Sequence, residues 1–322
     1  MAQTAQPQDD HGRDADTPLD LPGHAWREIL GRVWSKMGVD NISLMAAGVA
    51  FYAFLSVVPL LGALVMTYGL IADPSTIADH MRAIIQVVPR DAAKLILDQL
   101  VNLVTTASSK KGIALLVALL VSLYGATRAS GAIIMALNVI YEQRERRSLI
   151  RTTILSFVLI VGAVLIGVMG ILSASALALV GKLAEGLGTA ASIGISAATW
   201  IVAAALASMA IAAAYRFAPD RADAKWRWLT MGSALATLLW LVATLGFGAY
   251  AATLGNYNAT YGSLGAVVVL LMWLYVSAYA ILLGATINAE TERQIARDTT
   301  TGQPRPLGHR GATMADEVAP PR

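Results

Sequence analysis

The sequence predicts an all-α protein, a polytopic membrane bundle of about six transmembrane helices with an amphipathic helical outer loop. Three observations carry this. Apolar residues make up 56% of the chain and charged residues only 14%, and the mean hydropathy is +0.60, far from a soluble domain. The charges stand in short blocks, and long runs between them carry almost no ionisable group. Each run reaches the roughly 20 apolar residues that a helix needs to cross a hydrocarbon core of about 30 Å.

The elements follow in order. Residues 1–23 are polar, rich in Asp, and carry Pro18 and Pro22. They read as a disordered tail and not as a secretory signal. The membrane domain then covers 24–292. Its first span, Ser43 to Ile71, has no charge, and the second, Gly112 to Tyr141, has only Arg128. Thr152 to Val180, Ala191 to Tyr215, Leu229 to Leu254 and Gly262 to Asn288 complete the six. Lipid forces the backbone to satisfy its own hydrogen bonds, and Ala, Leu and Met favour helix. A barrel would instead show alternating segments of about ten residues. Residues 293–322 read as a disordered C-terminal tail.

Between the first two spans, 72–111 reads as two amphipathic helices on the outer face of the bundle or in the membrane interface. Asp73 caps the first, with Pro74 in its first turn and Ile77, Met81, Ile84 and Val88 on one face. Pro89 starts the second, with Ile96, Leu100, Leu103 and Ala107 along one side.

Orientation comes from Lys and Arg in the short connections. Arg144, Arg146, Arg147 and Arg151 lie between spans two and three, and Arg216, Arg221, Lys225 and Arg227 between four and five. Arg27, Arg32 and Lys36 precede span one, and Arg293 and Arg297 follow span six. An even number of spans places all four blocks, and so both termini, in the cytoplasm. Glycines such as Gly162, Gly167, Gly170, Gly246 and Gly248 suit close helix packing.

Chemistry is sparse. The chain has no cysteine, which excludes disulfides and thiol nucleophiles. His11, His24, His80 and His309 show no metal-ligand spacing. The Gly186, Gly188, Ala191 pattern joins two spans and follows no strand, so it fails as a dinucleotide site. Every Asp and Glu lies outside the spans so drawn, which weakens ion-coupled transport. No cofactor, metal or nucleic-acid partner is expected; membrane lipids are.

The candidate substrate-contact or gating residues are few. Arg128 sits in the cytoplasmic third of span two between Gly125 and Gly131. It either snorkels to the interface or contacts an anionic headgroup. Pro59 is expected to kink span one. Asn256, Tyr257 and Tyr261, in the outer turn before span six, form either a headgroup-level contact surface or an aromatic belt.

Four strings carry a family resemblance: AAGVAFYAFLSVVPLL at Ala46 to Leu61, ALNVIYEQ at Ala136 to Gln143, YRFAPDR at Tyr215 to Arg221, and YGSLGAVVVLLMWLYVSAYAILLGATINAE at Tyr261 to Glu290. Together they resemble the BrkB/YihY family of bacterial inner-membrane proteins. One departure is Thr286, where the family resemblance implies an acidic residue. The resemblance implies a multi-pass inner-membrane protein and brings with it an old ribonuclease label and a virulence label. The short cytoplasmic loops offer no acid, base or metal cluster for RNA hydrolysis. Two functions stay open: a transporter or flippase-like protein for a lipid or envelope precursor, and a non-transporting envelope scaffold.

Overall fold

The computed structural model describes residues 11–69, 111–183, 189–253 and 263–320. The expected outer helices of 72–111 and the turn holding Asn256, Tyr257 and Tyr261 lie outside these residues. A 3-10 turn at Pro18–Asp20 leads into α1 (Gly23–Val39) and α2 (Ile42–Gly69). Then come α3 (Lys111–Ile140), α4 (Leu149–Leu183), α5 (Thr189–Phe217), α6 (Trp226–Thr253) and α7 (Ser263–Gln294), with a last turn α8 (Thr313–Asp316). Helices α3 to α7 are each long and apolar enough to cross a membrane, and counting the bent pair α1–α2 as one span gives six. The described residues are all-helical with five to six candidate spans.

Helix α2 runs through Pro59 from Ile42 to Gly69. The chain turns by 63° between α1 and the start of α2. Asn41 makes the turn with a positive φ of 52°, a conformation that asparagine tolerates better than most side chains.

Helices α2 to α7 close into a ring. Each packs on the next in sequence, and α7 returns to α2 while also touching α3. Close approach occurs at glycines other than the five singled out from the sequence. Among those five, Gly162, Gly246 and Gly248 have open space beside them, and Gly170 meets only Leu206. A Cβ at Gly125 would lie 2.8 Å from the Ser56 backbone nitrogen, where α3 crosses α2. One at Gly284 would lie 2.6 Å from the Gly232 carbonyl, where α7 crosses α6. Asn288 seals that second crossing. Its Oδ1 accepts from the Gly232 amide at 2.8 Å, and its Nδ2 donates to the Leu229 carbonyl at 3.2 Å.

Packing is concentrated at one end of the ring, which holds residues 11–22, residues 295–320 and the basic connections. Ile42, Ile134, Leu137, Ile140, Tyr141, Tyr215, Leu229 and Leu282 are buried together there. Away from it, α4 and α5 are thinly covered. Among the described side chains, only Ser156 of α4 and only Ala212 and Tyr215 of α5 are buried. The stripe of α4 opposite its exposed face (Leu159, Ile166, Ser173, Leu177) is only partly buried.

Of the two segments expected as tails, residues 11–22 and 295–320 are described. Residues 295–320 lie across the basic end, where Ile295, Ala312, Met314 and Ala315 are buried. The buried Arg310 guanidinium organises the segment by donating to the carbonyls of Ala296, Arg297, Arg305 and Ala315. Residues 11–22 join it, with Leu21 buried beside Ile295 and the Ala296 amide donating to the Arg13 carbonyl. A few apolar anchors and one many-donor arginine hold these short segments over the core.

Candidate functional site

The sequence candidates do not meet at one place among the described residues. Arg128 is exposed on α3, its guanidinium 5.2 Å from the Tyr124 ring centroid one turn earlier. Gly125 is a packing contact with α2, and Gly131 has no neighbour close to its missing side chain. Because Gly125 faces Ser56 in an antiparallel pair, Pro59 lies roughly 9 Å along the axis from the level of Arg128. Thr286, at the departure from the family pattern, is fully buried and donates its hydroxyl to the Leu282 carbonyl at 2.9 Å.

What converges instead are the family strings themselves, at the basic end. Helix α7 continues past Asn288 to Gln294, so two carboxylates placed outside the last span belong to its helix. Glu290 is 1% and Glu292 3% exposed. Each is held by a guanidinium from elsewhere in the chain. Arg32 of α1 donates to Glu290 at 2.6 Å and to Gln294 at 2.7 Å. Arg221, from YRFAPDR, donates to Glu292 at 2.5 Å, and Thr299 donates to the other Glu292 oxygen at 2.6 Å.

Arg221 also lies over the Tyr141 ring, 4.1 Å from its centroid. Its Nε and Nη2 have no hydrogen-bond acceptor among the described residues, so the aromatic face takes the place of one. Burial works against its charge, but Glu292, then Tyr141 and last Asp223 together outweigh that and hold its pKa above the ordinary value.

A second group ties the α3–α4 turn to the α5–α6 turn. The Asn138 amide donates to Glu145 at 2.8 Å and its carbonyl accepts from the Asp220 amide at 2.7 Å. Arg147 donates to Glu145 through Nε and Nη2 and to the Ala218 carbonyl at 2.7 Å. The Arg147 hydrogen bonds hold the Glu145 carboxyl below its usual range. Glu142, next to Tyr141, carries a positive φ of 53°. It accepts from Lys36 at 2.6 Å and lies 3.9 Å from Arg293. A left-handed glutamate costs about 1–2 kcal/mol, and the two cations offset that cost.

The arrangement is a charged closure across six segments: α1, the end of α3, both short turns, the end of α7 and the C-terminal segment. Buried pairs of this kind fix one arrangement more than they stabilise it, and they suit a switch. Among the described residues, no group of three or more His, Cys, Asp or Glu is placed to hold a metal. The sequence signal for the closure was present in the strings ALNVIYEQ, YRFAPDR and INAE. Charge counting alone did not reveal that they meet.

Fold and site together define a multi-pass helical membrane protein sealed at one end by buried ion pairs. The family described as virulence factor BrkB matches residues 33–307, and the chain belongs to it. The chain is similar to the ribonuclease-like protein YfkH of Bacillus subtilis, 29% identical over 264 residues, which cover 81% of this chain and 94% of YfkH. It is also similar to the UPF0761 membrane protein RSc1559 of Ralstonia nicotianae, 35% identical over 48% of this chain and 34% of that one. A UPF0761 membrane protein of Tolumonas auensis is 40% identical over 82 residues, 25% of this chain and 27% of its own. No solved structure matches.

Proposed function

We propose that the chain moves an anionic amphiphile, a lipid or an envelope precursor, across the inner membrane, with the basic end cytoplasmic and shut in the arrangement described. The single observation behind this is the asymmetry of the ring. The basic end is packed and cross-linked by ion pairs, whereas α4 and α5 are half-covered elsewhere, as a lateral path for a lipid-tailed substrate would require. An amphiphile keeps its tail in lipid, so only its headgroup needs protein contacts.

In this reading the cytoplasmic closure is a gate, and Arg128, exposed on α3, is a headgroup contact on the path. The chain acts without bond chemistry. RNA hydrolysis needs a metal cluster or a positioned acid and base, and the buried acids at the basic end are already taken up by Arg32 and Arg221. The label borne by YfkH is therefore not carried over.

The test is transbilayer movement of a labelled anionic lipid by the purified protein in vesicles. Wild type should move it, Arg128→Gln should be clearly impaired, and Arg128→Lys should be intermediate because it keeps charge without the planar fork. Equal activity in all three would leave Arg128 as a snorkelling residue. No movement of any lipid class would overturn the transport reading in favour of a scaffold.

A further inference from the structure

Helix α1 has two faces, and only one is used by the bundle. Ala25, Ile29, Arg32, Val33 and Lys36 are buried, packing on the end of α7 and on Trp228 of α6. The opposite stripe holds Arg27, Leu30 and Trp34. Trp34 is 79% and Leu30 52% exposed. A tryptophan this exposed has its largest apolar surface uncovered by protein, one turn from an exposed leucine.

The position of α1 says what covers that stripe. Its buried face meets Trp228 and Ile287. Trp228 is in the first turn of α6, so α1 lies at the level where the spans begin. The 63° bend at Asp40–Asn41 swings α1 away from α2, leaving it about 27° from the bilayer plane if α2 stands near the membrane normal. Its charges, Arg27, Glu28, Arg32 and Lys36, keep it out of the hydrocarbon core. Arg27, and Arg227 at the start of α6, are both exposed, the composition of an interfacial helix facing anionic headgroups.

We propose that α1 is an in-plane anchor whose Leu30 and Trp34 face is seated in the headgroup–acyl boundary of the leaflet at the basic end, with Arg27 at the lipid phosphates. The lipid surface is the partner; a second copy of the chain covering the same stripe is the competing occupant. The proposal is independent of whether the protein transports anything. It gives the first span a fixed depth, against which Arg32 of the same helix holds Glu290.

The chain contains no cysteine, so single sites can be labelled without first removing native thiols. Full-length Leu30→Cys, Trp34→Cys and Arg144→Cys, each carrying a nitroxide, would be placed in vesicles of zwitterionic and anionic lipid. Collision with oxygen and with a water-soluble nickel complex then reads depth. Labels at 30 and 34 should favour oxygen and sit roughly 5–10 Å below the phosphates, while the label at 144, in an exposed turn, should favour nickel. Should the labels at 30 and 34 prefer nickel as strongly as the one at 144, the anchor is refuted. Spin–spin broadening at 34 that vanishes on dilution with unlabelled protein would assign the face to a second copy and equally refute it. Two positions guard against one substitution disturbing the fold.

Discussion

Arg221 and Glu292 offer the sharpest test of the charged closure. Both side chains are buried, at 0% and 3% exposure, and their atoms meet at 2.5 Å. Arg221→Met removes the guanidinium and leaves the Glu292 carboxylate with only the Thr299 hydroxyl. Breaking a buried pair from one side costs about 3–5 kcal/mol, because the remaining charge stays desolvated. At roughly 2–4 °C per kcal/mol for a chain of this size class, the melting temperature should fall by about 6–20 °C. Glu292→Met should cost a similar amount, since Arg221 would then keep only the Tyr141 ring and the field of Asp223. The double substitution replaces both charges by apolar groups of similar volume and should recover much of the loss. Thermal unfolding of the four proteins in one detergent measures this. If either single variant melts within a degree or two of wild type, or if the double variant loses the sum of the two singles, the ion pair does not act as described.

Four further outcomes follow from the geometry. Gly284→Ala would push a methyl against the Gly232 carbonyl and the Ala236 methyl, both at 2.6 Å. Because one of these is backbone, it should destabilise by about 1–3 kcal/mol or more in the same unfolding assay. Glu142→Ala and Glu142→Gly lose the same carboxylate, but glycine relieves the φ of 53°; the Gly variant should be the more stable by about 1 kcal/mol, and the reverse order would refute the strain. The Glu145 carboxyl is held low by Arg147. A depressed folded value means its contribution is complete above the unfolded value of about 4.3 and is lost as the pH falls through the folded one. Melting temperatures measured downward from about pH 5 should therefore drop less in Glu145→Gln than in wild type. Reporter fusions at Gln143, Ala222 and Arg297 should all report cytoplasm, and an external signal at Ala222 would overturn the orientation.

The spans were legible because lipid imposes one rule on every residue of a helix, and uncharged runs of that length have few other uses. The ends of those spans were not. Ending the last span at Asn288 follows from treating each carboxylate as a lone charge that must leave the membrane region. The helix continues because Glu290 meets Arg32, 258 residues away in sequence, and Glu292 meets Arg221, 71 residues away. No local pattern encodes such partners. The same reasoning explains Arg310, which reads as a tail charge and proves to be the buried donor that folds residues 296–315 onto the bundle.

Pro59 and Arg128 drew attention because each breaks a local rule, a proline within a helix and a charge within a span. Neither turns out to be where the described residues are most constrained. Helix α2 runs through Pro59, and Arg128 rests on its own helix against Tyr124. The strained and buried positions, Glu142, Arg221, Glu290 and Glu292, break no rule until the chain is folded. They violate charge burial only together, and only together do they satisfy it. An opening movement of α4 and α5 against the rest of the ring would have to separate what these residues join: Arg147 ties the start of α4 to Asp220 beyond α5, and Arg221 in that same turn is anchored to α7. Under the proposed transport function, a substrate leaving at the basic end would have to loosen the Arg221–Glu292 contact or carry it along. On that proposal this pair, more than the exposed Arg128, is the place where transport and stability should be coupled.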